Sequence, residues 1–228
     1  MTRVVAFDVN ETLLDLSALD RPFEKLLGSS VLRTQWFALM LQLSFVGGLT
    51  GSYVDFSTAQ RAALRMLARR EGVRLTEEQV QQTVDLMSSL PPHPEVPGAL
   101  RRLADTDLYV VALTNSLEAV AEAQLRHAGI RDAFDRVFSA DSVRRLKPAP
   151  EPYLSVAQAF RVSPGDVRLV AAHAWDVTGA LHVGCQAAFV RRPGKVPSPL
   201  GPQPDIVEPD VAVVVDCIIK AAASRQDD

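Results

Sequence analysis

The sequence predicts an α/β protein, a doubly wound parallel sheet with an all-helical cap domain inserted after the first strand. Three observations carry that expectation. Four apolar residues, Val4-Val5-Ala6-Phe7, run without interruption into Asp8, the pattern of a strand buried on both faces. Residues 16–89 show only helical periodicity. From Gly98 onward strand-like and helix-like stretches alternate, which argues parallel strands joined by helical crossovers. The expected division is a core of residues 1–15 and 93–228 and a cap of residues 16–92.

Taken in order, the strand ending at Asp8 is followed by helical stretches with turns at Gly28-Ser29-Ser30, Gly47-Gly48 and Gly72. Thr76-Glu77-Glu78-Gln79 fits a capping box that opens a helix running to Met87. Pro91-Pro92-His93-Pro94-Glu95-Val96-Pro97-Gly98 reads as a rigid hinge. Beyond it come a short helix over 99–103, a buried strand over 109–113 and a helix over 117–127. A brief strand over 136–138 and a helix over 150–160 follow. Ser163-Pro164-Gly165-Asp166 turns into a strand over 167–171, and 187–190 is a further strand. The proline-rich residues 191–209 predict an extended surface loop, 212–223 a final strand and helix, and 224–228 a short polar tail.

A chain of 228 residues with 47% hydrophobic and 22% charged residues suits one well-buried domain with an insert. The net charge of -3 and the dispersed basic residues give no surface for nucleic acid. Cys185 and Cys217 sit in apolar surroundings without metal-site spacing, as expected of thiols in a reducing compartment. No signal-peptide pattern opens the chain, and the apolar stretch 36–49 is too short and too interrupted to span a bilayer. A cytoplasmic protein that does not bind membranes is expected.

Each strand end carries polar groups. Asp8 follows the first strand, where open α/β sheets bind ligands; an acid there serves as nucleophile or ligand, or simply orders a turn. Asp8-Val9-Asn10-Glu11-Thr12-Leu13 resembles the first motif of the haloacid dehalogenase superfamily, which its phosphatases write Asp-x-Asp-x-Thr. Asn10 replaces the second Asp, the leaving-group acid of the phosphatases, and an amide cannot donate that proton. The departure points to the 2-haloacid dehalogenases. Thr114-Asn115 stands where those enzymes have Ser or Thr followed by Asn. Lys147-Pro148-Ala149-Pro150-Glu151-Pro152-Tyr153 is similar to their Lys-Pro-x-Pro-x-x-Tyr. Ala171-Ala172-His173-Ala174-Trp175-Asp176-Val177-Thr178-Gly179-Ala180 looks like Ser-Ser-Asn-Ala-Trp-Asp-x-x-Gly-Ala.

The resemblance implies a haloacid dehalogenase-like Rossmann-type core and hydrolysis of short 2-haloalkanoic acids, haloacetates or (S)-2-haloacids, through an aspartyl ester at Asp8. In that reading Lys147 keeps Asp8 ionised, Thr12 donates to it, and Asp176 activates water, with His173 assisting or binding halide. Arg33, before Gly51-Ser52-Tyr53-Val54-Asp55-Phe56, is expected to hold the substrate carboxylate. Asn115 and Thr114 supply donors near the halide, Asn10 shapes the pocket floor, and Phe37, Tyr53, Phe56 and Trp175 line its walls. No metal or other cofactor is expected, because the fourth motif lacks one acid of the magnesium site. A small 2-halocarboxylate is the expected partner, with a homodimer through the cap left open. Hydrolysis of another carbon electrophile such as a strained azetidine carboxylate, a magnesium-dependent phosphatase and a non-catalytic carboxylate-binding domain are the alternatives.

Overall fold

The computed structural model describes residues 2–223; the polar tail expected at 224–228 lies outside them. Six parallel strands form one sheet: β1 (Val4–Phe7), β2 (Tyr109–Thr114), β3 (Arg136–Ser139), β4 (Val167–Ala171), β5 (Gln186–Val190) and β6 (Ile206–Glu208). Their spatial order is β3-β2-β1-β4-β5-β6. β1 is therefore central, with Phe7 registered against Ala112 on one side and Val170 on the other. The chain leaves β1 in opposite directions across the sheet, so the crevice at its carboxyl end lies at a topological switch point. Asp8 begins there.

β1 is fully buried because helices cover both sheet faces. Val5 and Phe7 pack with one cluster that includes Val96, Leu100, Leu125, Val214 and Ile218. Those side chains come from α5 (Val96–Leu103), α6 (Glu118–His127) and α9 (Val211–Ala223). Val4 and Ala6 face a second cluster with Tyr153, Val156 and Val177, carried by α7 (Pro150–Phe160) and α8 (Ala174–His182). The alternation along β1 is the two-residue period of a strand.

Between β1 and β2 lie α1 (Asp20–Leu27), α2 (Val31–Thr50), α3 (Phe56–Arg70) and α4 (Glu77–Asp85), which form the helical cap. Thr76 and Gln79 close the expected capping box on α4. The two crossings between cap and core run side by side. Asp15 N–H donates to Pro91 O at 2.8 Å, and His93 N–H donates to Leu13 O at 2.9 Å.

Four local expectations are corrected. α2 runs through Gly47-Gly48 and ends at the left-handed Gly51, φ 73°. Gly47 serves close approach rather than a turn, since a Cβ there would lie 2.8 Å from Ser52 O. Pro97 and Gly98 belong to α5, because a proline in the first helical turn forfeits no helical hydrogen bond. The proline-rich stretch contains a strand, β6, at the sheet edge, a place where neighbouring prolines are tolerated. The valine run after Asp210 is wholly helical. Asp210 Oδ1 accepts from Val213 N–H at 2.9 Å and starts α9, whose buried Val211, Val214, Val215 and Ile218 follow helical spacing. No helix among the described residues is long and apolar enough to cross a membrane.

Candidate active site

The carboxyl ends of β1, β2 and β4 bring Asp8, Thr114-Asn115 and 171–176 together, and Lys147 enters from the loop before α7. Lys147 is completely buried. Its ammonium donates to Asp8 Oδ1 at 2.9 Å, Leu113 O at 2.8 Å and Asp176 Oδ2 at 2.6 Å, so all three N–H bonds are satisfied. Burial alone would lower its pKa, but Asp176 and Asp8 raise it above the ordinary lysine value. α8 approaches this loop closely: a Cβ on Gly179 would lie 2.7 Å from both Pro148 Cβ and Tyr153 Oη. Glycine is the residue that fits.

Asp8 receives two further donors. Thr12 Oγ1–H donates to Oδ2 at 2.6 Å, and His173 Nδ1 lies 3.2 Å from the same oxygen. Ala172 N–H donates to Thr12 Oγ1 at 2.9 Å, which directs the hydroxyl proton toward Asp8. Burial pushes the Asp8 carboxyl up, but Lys147, His173 and Thr12 outweigh it and hold the pKa far below the ordinary value. A carboxylate offers about four lone-pair sites. Three are taken, and the vacant one is on Oδ1.

The other ring nitrogen of His173 also meets a carboxylate, with Nε2 2.9 Å from Glu11 Oε2. A neutral imidazole has one N–H and could satisfy only one of these contacts. Burial opposes protonation of His173, yet Asp8 and Glu11 raise its pKa above 6.5. The two carboxylates favour the protonated ring, in which both nitrogens donate.

Asp176 is fully buried and accepts at Oδ1 from Tyr153 O–H at 2.6 Å. Burial and the nearby Asp8 charge raise its pKa despite Lys147. The two carboxylates on Lys147 thus move in opposite directions, the arrangement that separates a permanently ionised group from a basic one.

Several expected binding residues have other partners. Arg33 Nε donates to Asp20 Oδ1 at 2.5 Å and Nη1 lies 3.8 Å from Glu11 Oε1, so its guanidinium is paired with the protein's own acids at the edge of the site. Asn115 holds the Lys147 backbone at both ends, donating to Lys147 O at 3.2 Å and accepting from Lys147 N–H at 2.8 Å. Thr114 Oγ1 accepts from Ser116 N–H at 3.1 Å. Asn10 donates to Ser116 Oγ at 3.2 Å and accepts from Gln124 Nε2 at 2.9 Å, and Gln124 also donates to Met87 O at 2.7 Å. Asn10 thus ties the first-motif turn to α6 and to the cap. Phe56 joins the hydrophobic core at the start of α3 and lines no wall here. Tyr53 donates to Asp141 and lines a neighbouring cavity.

Phe37 and Trp175 do face the site. The Phe37 ring stacks on His173 at 5.8 Å, and the Trp175 ring lies 5.2 Å from His173 with Lys147 Nζ 5.9 Å from its centroid. Trp175 Nε1 is buried and has no hydrogen-bond partner, an unmet donor that burial makes costly.

Sequence reasoning passed over Glu11, Tyr153 and Lys195. Glu11 stands with left-handed φ of 61°. Besides His173 it accepts from Lys195 Nζ at 2.5 Å, and although burial opposes ionisation, His173 and Lys195 hold its pKa at about 2. Tyr153 was visible as the last residue of the lysine motif. Lys195 lies in the proline-rich loop, whose Arg192 clamps Thr12 O at 2.8 Å and Glu95 at 2.7 Å. No spacing pattern announces either basic residue. Among the described residues no three His, Cys, Asp or Glu side chains are grouped to hold a metal ion.

Comparison with known proteins agrees with this geometry. The family profile of the haloacid dehalogenase-like hydrolases matches residues 2–184. The chain is 31% identical over 224 residues to an (S)-2-haloacid dehalogenase of Pseudomonas sp. (strain YL), covering 97% of each chain. It is 28% identical over 217 residues to haloacetate dehalogenase H-2 of Moraxella sp. (strain B), covering 94% and 96%. The structure of L-2-haloacid dehalogenase from Xanthobacter autotrophicus with chloropropionic acid covalently bound superposes with a TM-score of 0.90 at 25% identity, covering 96% of this chain and 99% of the other. With a matching profile over most of its length and a relative above 30% identity across nearly all of it, the chain belongs to the haloacid dehalogenase-like hydrolases, in their 2-haloacid dehalogenase family.

Proposed function

We propose that this protein hydrolyses the carbon–halogen bond of short 2-haloalkanoic acids through an ester at Asp8. The observation that carries the proposal is the Asp8 carboxylate, held by Lys147 at Oδ1 and by Thr12 at Oδ2, with one lone-pair site of Oδ1 not taken by a protein donor. Oδ1 attacks C2, the carbon–halogen bond breaks, and the halide leaves with the bonding pair. The unmet Trp175 N–H supplies a donor for it. Water then attacks Cγ of Asp8 and passes a proton to Asp176, whose raised pKa suits a base. The developing oxyanion is Oδ2, already facing Thr12 O–H and His173 N–H, the preorganised donors such an intermediate needs. Cleavage of the Cγ–Oδ1 bond releases the 2-hydroxy acid as Lys147 gives a proton to the departing oxygen and takes back the one held by Asp176, since its ammonium contacts both.

The phosphatase alternative loses support from Asn10, which is engaged by Ser116 and Gln124, and from Lys147, whose ammonium bridges the two acids that would otherwise face a cation. Halide release from chloroacetate and the two 2-chloropropionate enantiomers tests the proposal; release of phosphate from an aryl phosphate without halide from any haloacid would reject it.

Lys195 is a second candidate beside Arg33 for the substrate carboxylate: it is partly exposed, its Nζ lies 5.9 Å from the Phe37 ring centroid at the edge of the site and, like Arg33, it is paired with an acid, Glu11. Lys195→Gln is expected to raise KM for chloroacetate about ten-fold, the scale of one charge-assisted contact, with kcat within about two-fold. An unchanged KM would remove Lys195 from substrate binding.

The His173 imidazolium fixes the pH dependence. A group whose folded pKa lies above its unfolded value acts fully at low pH, and its contribution fades as pH rises through the folded value. Ester hydrolysis should therefore slow as pH rises through the raised His173 pKa, on the alkaline side of the ordinary histidine value, while halide displacement by Asp8 continues. Intact-protein mass measured during turnover at alkaline pH is expected to show accumulated alkyl-enzyme. His173→Gln, which keeps a donor without a titrating proton, should flatten that alkaline limb; the same limb in the variant would assign it elsewhere.

A cytoplasmic location belongs to the same proposal, supported by the two free cysteines. Pairing of two copies through the cap is proposed from Val46 and Leu49 on α2 and Met66 on α3, which remain exposed; the mass in solution decides it.

A further inference from the structure

A cavity of about 440 Å³ lies between the C-terminal half of α2 and residues 144–149. Phe45, Gly47, Gly48, Tyr53, Leu146 and Pro148 form much of its wall. Asp8, Lys147, His173 and Trp175 are not part of its lining, but two of its wall elements touch them. Leu146 and Pro148 flank Lys147 in the chain, and the Phe45 ring packs edge-on against Trp175 at 5.5 Å. Trp175 in turn lies against His173 and Lys147. The Phe45 wall is thus separated from the Asp8 carboxylate by Trp175 and then by His173 or Lys147.

Its shape has local causes. α2 carries no side chain at positions 47 and 48, and the two glycines differ in what they permit. A Cβ on Gly47 would meet Ser52 O at 2.8 Å, whereas a Cβ on Gly48 would meet nothing within 4 Å. Gly48 is exposed, so the missing side chain there leaves open space at the mouth of the cavity rather than meeting a packing requirement. Polar groups stand at the rim. The Arg144 guanidinium stacks over the Tyr53 ring at 4.5 Å, and Arg145 Nε pairs with Glu151 Oε1 at 3.3 Å. An apolar chamber with a polar rim beside a reaction centre has the composition of a small-molecule site.

We propose that this cavity is a side-chain subsite that takes an extended apolar or aryl substituent on C2 of the substrate, so that the protein favours acids larger than haloacetate. The inference rests on the function proposed above, which places the acid group and C2 at Asp8. The substituent then extends past Trp175 and Phe45 into the chamber. Gly48 lines the mouth of this cavity, so a large side chain there is expected to narrow the entrance for a long substituent.

The test uses binding of unreactive acids, which does not depend on turnover, beside halide release. Titration calorimetry on the whole protein is expected to show 4-phenylbutyrate binding at least about ten-fold more tightly than propionate, because each buried methylene contributes about four-fold. Gly48→Leu should abolish that preference while leaving halide release from chloroacetate within about two-fold. Its thermal midpoint should not fall, because leucine replaces glycine inside a helix. Equal binding of the two acids by the native protein, or an undiminished preference in folded Gly48→Leu, would overturn the subsite. If the preference and its loss are both seen while chloroacetate yields no halide, the subsite stands and the dehalogenase reading fails.

Discussion

Lys147→Met is expected to lower the unfolding free energy by about 3–5 kcal/mol, the usual loss when one partner of a buried ion pair is removed. It should also bring halide release below detection. The reason is the dual role of the ammonium. It occupies the space between Asp8 Oδ1 and Asp176 Oδ2, at 2.9 and 2.6 Å, and no solvent reaches it. Without it two carboxylates share a dry site, and one takes up a proton. Such a proton raises a folded-state pKa above the unfolded value, so the destabilisation is greatest at neutral pH and shrinks as pH falls toward the unfolded carboxylate pKa. Denaturant titration of native and variant protein at several pH values checks this. A deficit that does not change with pH would mean that lost packing, not unpaired charge, dominates. With a stability of about 5–15 kcal/mol typical of a domain, the variant should remain foldable in mild acid.

Asp8→Asn is expected to reduce halide release by at least about 10⁴-fold, the scale seen when a covalent nucleophile is removed. The amide has the shape of the carboxylate and keeps contacts with Thr12 and Lys147, so the loss should come without gross unfolding. One electrostatic consequence is specific. His173 is raised by its bonds to both Asp8 and Glu11, and losing the Asp8 charge lets its pKa fall. Proton-exchange or NMR titration of the His173 ring should record that drop. Retained turnover would place the nucleophile elsewhere, whereas an unmoved His173 would mean that Glu11 alone supports the imidazolium.

The main lines of the fold were legible because they rest on periodicity. The strand before Asp8, the helix over 150–160 and the strand over 167–171 stand where the apolar pattern places them, and Thr76 and Gln79 announce their own cap. The first, third and fourth motifs were legible as spellings, and they do meet: Asp8, Thr12, Lys147, His173 and Asp176 form one hydrogen-bonded group. What a spelling cannot carry is the choice among partners. Guanidinium pairs with carboxylates, and the spelling around Arg33 gave no sign that Asp20 and Glu11 would stand beside it. Asn10, Asn115 and Thr114 are polar residues at strand ends, and each has found a protein partner there. His173 meets two carboxylates only because the left-handed turn at Glu11 brings a second one to its far nitrogen. Lys195 reaches the site through a loop whose path depends on the edge strand β6 and the Arg192 clamp, neither of which has a periodic signature.

The central claim is that the oxygen delivered to the product comes from Asp8. A single turnover of 2-chloropropionate in heavy-oxygen water, with enzyme in excess, tests it most directly. The account predicts a 2-hydroxy acid carrying only ordinary oxygen at C2, with one heavy oxygen in the peptide containing Asp8. Heavy oxygen in the product and none in that peptide would mean that water attacks the substrate carbon directly, and the ester at Asp8 would be contradicted.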